Sequence, residues 1–312
     1  MFTHPKVTEI VSLFPMGQVV LYLLQGKQNA LIDTGSVNSP NADILPVLNK
    51  LGMKFSDIDI VLNTHGHFDH TGGNSVFKAA GAKIYIHPEE ASQINDRMTY
   101  IKEFYGPLVT KTLGKEHITR EWEDFVTIGG PEVTVDKLID EGDVIDLGND
   151  CRLDVLLLDG HTPGSIGFYW EKEGILFSGD ALPGLHDAGC GLPIVTDLIA
   201  YKKTLNRLQK MRLKYLFLAH EMRCLSSPWS YKKQGKDIKG YLDDSLEFVE
   251  AIIEAVKKAP KLAAGEPVVN IYDDVIDNMP SKFGFKKRKE INNIMLSSAV
   301  ILSALRINEL YK

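Results

Sequence analysis

Residues 63–73 read Asn63-Thr64-His65-Gly66-His67-Phe68-Asp69-His70-Thr71-Gly72-Gly73, with three histidines and a carboxylate packed into six positions directly behind an apolar run. His65 and His67, two apart on extended chain, can face one ion. Asp69 and His70 lie about one turn further on and can face a second. The preceding run, Ile58 to Leu62, is apolar and β-branched and predicts a buried strand, and Thr71-Gly72-Gly73-Asn74 punctuates the chain before the Ala-rich stretch Phe77 to Ala80. The cluster therefore falls where a strand hands over to a helix. Ligands on such a loop are held by the strand yet open to a substrate, as a catalytic metal site requires and a closed structural site does not. An isolated His-x-His pair is equally at home in a solvated loop, so the reading depends on partners elsewhere in the chain.

Three later segments supply them. Leu153 to Leu158 is a second apolar run, and it ends in Asp159-Gly160-His161-Thr162-Pro163-Gly164-Ser165, a tight turn carrying His161. Ile175-Leu176-Phe177 ends in Ser178-Gly179-Asp180, and Tyr215 to Leu218 ends in Ala219-His220-Glu221. Each candidate ligand is expected at the C-terminal end of a strand. Strand ends along one sheet edge converge in space, so four distant segments can deliver seven ligands to one cleft.

In order, spacing and strand context these segments resemble the metallo-β-lactamase fold superfamily, whose His-x-His-x-Asp-His segment is followed by a His, an Asp and a His on later strand ends. The matching residues are His65, His67, Asp69, His70, His161, Asp180 and His220, and Leu31-Ile32-Asp33-Thr34-Gly35 looks like the family's first hairpin. The resemblance implies an α/β fold, a four-layer αβ/βα sandwich of two mixed sheets with helices outside, here with a C-terminal helical extension. It also implies that His65, His67 and His161 hold one metal, that Asp69, His70 and His220 hold a second, and that Asp180 bridges the two. Asp69 and Asp180 are then the carboxylates closest to the chemistry. Two divalent ions about 3.5–4 Å apart share a water, lower its pKa and polarise a carbonyl, which gives hydrolysis without a covalent enzyme intermediate. Zinc is the first expectation for the ions; iron and manganese also suit nitrogen and oxygen donors.

Other residues stay open at this level. Asp33 fits either the orienter of a ligand imidazole or the cap of the turn before Thr34-Gly35. His87, in Tyr85-Ile86-His87-Pro88, reads as a loop histidine because the ligand places are already filled. His186, six residues after Asp180, either reaches the cleft or is structural, while His4 and His117 carry no supporting context.

The chain has 312 residues, 44% of them hydrophobic, and a formal net charge of −6, enough for one large core plus an appendage. No stretch resembles a secretory leader or reaches membrane-spanning length, so the expected location is cytoplasmic, with no membrane partner. The acidic balance argues against nucleic acid, leaving a small-molecule substrate as the expected partner; a homodimer is compatible with the chain. Cys151, Cys190 and Cys224 are scattered and odd in number, so neither a disulfide framework nor a zinc knuckle is indicated.

The organisation expected is a metallo-β-lactamase domain over 1–225 with a helical insertion at about 89–131, followed by a helical cap over 226–312. In the insertion, apolar and aromatic residues recur at helical offsets from Ala91 to Tyr105, and Gly106-Pro107 is read as a breaker. In the cap, Leu242, Leu246, Val249, Ile253 and Val256 repeat at three and four within a helix over Tyr241 to Ala259, with further helices near Val268 to Met279 and from Lys287 onward. Tyr100, Phe104, Tyr105, Phe283 and Phe285 are either core aromatics or linings of a substrate cleft. Lys286-Lys287-Arg288-Lys289 is either a solvated helix start or a contact for an anionic substrate tail.

Within the superfamily, His67 speaks against the flavodiiron branch, which carries glutamate there. Pro183 replaces the tyrosine of acyl-homoserine lactonases. Glyoxalase II and its persulfide dioxygenase relatives share the turn at His161, but their Gly-Gly-Cys-Gly-Arg stretch is only echoed by Ala188-Gly189-Cys190-Gly191-Leu192. Length, Ser178-Gly179-Asp180-Ala181-Leu182 and the C-terminal helices resemble best the branch holding the thioesterase of bacterial alkylquinolone signalling. The implied activity is a two-metal hydrolase of a thioester, ester or lactone. A mononuclear iron dioxygenase of the persulfide type, and a regulatory protein retaining the hydrolase fold, are the alternatives.

Overall fold

The computed structural model describes residues 4–14, 17–114, 129–185, 191–226, 229–290 and 294–310. Among them, two six-stranded mixed sheets are ordered β1-β2-β3-β4-β5-β6 and β12-β11-β10-β9-β8-β7. The first comprises β1 (Val7–Phe14), β2 (Gly17–Gln25), β3 (Asn29–Ile32), β4 (Ile60–Leu62), β5 (Lys83–Ile86) and β6 (Lys137–Leu138). The second comprises β7 (Val144–Asp146), β8 (Arg152–Leu157), β9 (Ile166–Trp170), β10 (Ile175–Phe177), β11 (Tyr215–Met222) and β12 (Ser230–Gln234).

The apolar run Val19 to Leu24 shows why the sheets stack. Side chains alternate across a strand, and here both faces are buried: Val20, Tyr22 and Leu24 face Leu153, Val155, Phe168, Phe177 and Phe217 of the second sheet. Val19, Leu21 and Leu23 face outward onto Ile44, Leu48 and Phe77, from helices α1 (Leu45–Lys50) and α3 (Asn74–Ala79) and the turn before α1. Between those helices in sequence lies α2 (Phe68–Thr71). A strand buried on two sides needs a continuous apolar run rather than alternation, and β11 obeys the same rule, with Phe217 inward and Leu216 and Leu218 outward.

The segment expected as an insertion begins with α4 (Ser92–Asn95) and α5 (Arg97–Tyr100) and reaches α6 (Gly106–Thr112) through a π-turn at Ile101–Tyr105. Gly106-Pro107 therefore does not break the helical path. Proline lacks an N–H and its ring crowds the carbonyl four residues back, so it is tolerated in the first turn of α6, and the wider π-turn before it relieves the clash. The second half of the expected insertion, 115–128, lies outside the described residues.

Outside the second sheet lie α7 (Leu198–Leu208), α8 (Lys236–Lys258), α9 (Tyr272–Asn278) and α10 (Ile294–Leu310). The α8 helix starts five residues before the periodicity suggests, and its buried stripe centres on Phe248, Val249 and Ile252, with Leu246 and Ile253 half-buried at its margins. These helices share one apolar cluster with Leu176, Leu216 and Leu218 of the sheet. The α6 helix packs against α10, and Val109 and Leu113 meet Val269 there, so α6 and the C-terminal helices touch. No helix among the described residues is long and apolar enough to cross a membrane.

Candidate metal centre

Strand β4 ends at Leu62, and His67, still extended at φ −62° and ψ 150°, is the residue before α2, so His65 and His67 leave the strand while Asp69 and His70 ride the first helical turn. His161 follows β8 on the turn before β9, and Asp180 follows β10. His220 departs from the expectation, because it lies inside β11 rather than beyond its end. The β11–β12 ladder shifts register between Phe217 and Met222. Such an irregularity re-aims side chains next to functional sites, and here it leaves His220 free to turn towards the other ligands.

The fold brings all seven residues together. One ring nitrogen each from His65, His67 and His161 lie within 4.8 Å of one another; so do ligand atoms of Asp69, His70 and His220, and of His65, His70 and Asp180. The last group connects the first two. His67 Nδ1 is 3.2 Å from His161 Nε2, and Asp180 Oδ2 is 3.4 Å from His70 Nε2 and 3.3 Å from His220 Nε2.

Behind the candidate ligands stand groups that fix their rings. Asp33, buried and left-handed at φ +59°, has Oδ2 2.8 Å from His70 Nδ1. Its two oxygens also accept from the backbone N–H and the hydroxyl of Thr64, each at 2.8 Å, and that hydroxyl is 3.1 Å from His65 Nδ1. Of the two roles open to Asp33 in the sequence, the structure thus gives the imidazole orienter. The Nδ1 atoms of His161 and His220 face the carbonyls of Ile194, at 2.8 Å, and Gln18, at 2.5 Å. Metal-binding imidazoles are commonly held in this way, through the nitrogen not used for the ion. Sequence reasoning missed Thr64 and both carbonyls: a Thr before a His is unremarkable, and a carbonyl's role has no residue signature.

Burial opposes the charged form of every imidazole in this cluster. Burial, reinforced by His70 and His67, holds His65 well below the usual histidine range, and burial with His67 pushes His161 down to about 4. At His70 burial is outweighed by Asp180, Asp69 and Asp33, which hold the ring well above that range; at His220, Asp180 and Asp69 overcome burial and raise it to about 10. Asp180, despite its own burial, is held well below the carboxylate range by His220 and His70. One half of the cluster therefore offers neutral lone pairs, and the other is charge-paired.

The residues fit a pair of divalent ions. His65 Nε2, His70 Nε2 and Asp180 Oδ1 are buried without a hydrogen-bond partner, each a cost of about 1–3 kcal/mol that an ion at the same place would remove. Imidazole and carboxylate donors suit zinc and other first-row divalent ions.

The remaining candidates lie elsewhere. His87 is buried with Nε2 3.1 Å from Asp140 Oδ1 and Nδ1 accepting from the N–H of Glu89, a loop-fixing role. His4 packs edge-on against Trp170. His117, His186 and Cys190 lie outside the described residues. Phe283 is fully buried and belongs to the C-terminal core with Phe248 and Phe285. Tyr100 and Phe104 stack on the insertion, with Phe104 exposed. Lys287 pairs with Asp277 at 2.8 Å.

Comparison with known proteins places this geometry. The family model described as the metallo-beta-lactamase superfamily matches residues 15–220. A hydroxyacylglutathione hydrolase of Maricaulis maris is 28% identical over 160 residues, 51% of this chain and 45% of that protein. An acyl-coenzyme A thioesterase of Gallus gallus is 33% identical over 129 residues, 39% of this chain and 41% of that one. The chain thus spans about half the length of the curated relatives it matches. Among solved structures, a metallo-beta-lactamase family protein of Thermus thermophilus superposes with a TM-score of 0.71 at 21% identity, covering 98% of this chain and 95% of that one, a likeness of fold.

Proposed function

The chain belongs to the metallo-beta-lactamase superfamily, among whose matched members are hydrolases, and we propose that it is a two-metal hydrolase of small molecules that opens a thioester, ester or lactone, thioesters first. The observation that carries this reading is the joining of two ligand groups through His65, His70 and Asp180, together with the unpartnered buried atoms on those same three residues. A mononuclear site would not need the second group, Asp69, His70 and His220.

In this reading His65, His67 and His161 hold one ion, Asp69, His70 and His220 the other, and Asp180, with two carboxylate oxygens, serves both. Zinc is the first candidate. When bound, such a pair supplies a water of lowered pKa and polarises the substrate carbonyl. Asp33 keeps the His70 ring, and through Thr64 the His65 ring, turned towards the cluster. Beside His220 the Phe14 ring meets both His220 and Phe68 edge-on at 6.2 Å, an apolar neighbour of the candidate ligand group. Thioesters come first because the names of two relatives denote acyl groups carried on a thiol, glutathione in one and coenzyme A in the other.

The test is hydrolysis of acyl-glutathione and acyl-coenzyme A thioesters, aryl esters and lactones by the zinc-loaded protein and by Asp180→Asn. Turnover of one class that falls more than about 100-fold in the variant, beyond the usual effect of an outer-shell change, is the expected result. No turnover in any class, with Asp180→Asn indistinguishable from the unaltered protein in metal content, would sink the reading.

A further inference from the structure

Glu90, at the end of the short turn Pro88–Glu90 after β5, is fully buried, and no cation pairs with it among the described residues. A buried carboxylate is costly unless its oxygens are hydrogen-bonded. Its charge is met by three N–H donors. Oε2 accepts from the backbone of Gly66 at 2.9 Å and from the Gln93 amide at 2.5 Å, and Oε1 accepts from the backbone of Gly164 at 2.9 Å.

Those two backbone donors matter because of where they sit. Gly66 lies between His65 and His67, and Gly164 lies three residues after His161 on the same turn. One carboxylate therefore grips both loops that carry the three-histidine group, with one oxygen for each. Both grips depend on glycine: a Cβ at Gly66 would lie 2.5 Å from the Gln93 side chain, and one at Gly164 would lie 2.6 Å from His87 Nδ1 and 2.7 Å from Glu90 Cγ.

Within this group His67 is the ring most in need of such a grip. The Nδ1 atoms of His65 and His161 have Thr64 and the Ile194 carbonyl behind them. His67 Nδ1 instead faces His161, and among the described residues no carboxylate or carbonyl holds its Nε2. The hold beside it is on the backbone, at the N–H of the preceding residue Gly66.

We propose that Glu90 is a positioning residue for the three-histidine metal site, fixing the spacing of His65 and His67 from His161 by binding the N–H groups of Gly66 and Gly164 with its two oxygens. This rests on the reading that His65, His67 and His161 hold an ion. Glutamate is required because both oxygens accept; in Glu90→Gln the amide NH2 opposes one of the two N–H donors, and one loop is released. Among the described residues no hydrogen bond joins Glu90 to Asp69, His70 or His220, so the expected effect falls on the three-histidine group.

The experiment loads metal-free protein with Co2+ and follows the visible bands of the bound ion, the number of ions per chain and their affinities by chelator competition, with His161→Ala marking loss of the three-histidine site. The expected result is that Glu90→Gln weakens one ion by about 10- to 100-fold, with the spectral change seen in His161→Ala, while the second ion binds as in the unaltered protein. Two ions bound with unaltered affinity and spectrum overturn the proposal. So does equal weakening of both, which marks Glu90 as a general stability residue. If Glu90→Gln does not fold, Glu90→Asp, whose shorter side chain reaches only one of the two loops, is read by the same criteria. Failure of the unaltered protein to bind Co2+ overturns the two-metal reading itself, and the proposal with it, and is distinguished by needing no variant.

Discussion

Asp33 Oδ2 stands 2.8 Å from His70 Nδ1, and the same carboxylate reaches His65 through the Thr64 hydroxyl. One buried side chain thus orients an imidazole in each of the two ligand groups. Asp33→Asn presents an NH2 to one of the donors the carboxylate now accepts. Zinc affinity, measured against a competing chelator, is expected to fall about 10- to 100-fold. Unchanged affinity would mean that His70 and His65 are held by packing alone.

Glu141 makes a two-pronged contact with Arg207, at 2.7 and 2.8 Å, and also accepts from the backbone N–H of Leu157 at 2.6 Å. Arg207, and then the Leu157 N–H, outweigh partial burial and hold the Glu141 carboxyl below its ordinary range. A depressed carboxyl contributes stability that is present above its unfolded pKa, about 4.3, and is lost as pH falls through the lower folded value. Both side chains are more than a third exposed, so the contribution is about 0.5–1 kcal/mol after screening. Unfolding free energies from urea titration of the protein and Glu141→Gln are expected to differ by that amount near pH 7 and to converge in acid. A gap that persists below the folded pKa would assign the effect to something other than the ionised pair.

Cys151 is completely buried, and burial pushes its thiol up to about 11. Thiolate is the reactive form. At about pH 8, iodoacetamide is expected to leave Cys151 unmodified in the folded protein and to alkylate it in denaturant, as read by peptide mass mapping. Rapid native labelling would contradict the packing around β8.

Phe248 of α8 is fully buried in the cluster that also holds Leu176, Leu216 and Leu218 of the second sheet. Phe248→Ala is expected to cost about 3–5 kcal/mol. Because the C-terminal helices and the sheet share that cluster, chemical unfolding of both protein and variant should be a single transition. An early transition confined to helical signal would mean that the C-terminal helices unfold separately from the sandwich.

The strands were readable because their burial is double-sided. Ile175-Leu176-Phe177 and Tyr215 to Leu218 must be apolar at every position when each face meets a packed layer, and such runs stand out from their surroundings. The seven candidate ligands were readable because histidines and carboxylates that follow apolar runs leave a pattern of residue types. Gly106-Pro107 misled, since whether proline breaks a helix depends on which turn it occupies and on whether the turn before it can widen.

The sequence by itself determined the seven candidate ligands and the apolar runs before them, which are written in side-chain identity and period along the chain, and through those motifs the resemblance that implies the family and its two-sheet architecture. Tertiary structure alone decided what surrounds those ligands. It set His220 inside an irregular strand rather than at its end, and it chose the imidazole-orienting role for Asp33. It also brought Glu90 against the N–H groups of Gly66 and Gly164. The physical reason is common to all three: a hydrogen bond to a backbone group or a shift in strand register depends on distances between segments far apart in the chain, and no residue type records those distances.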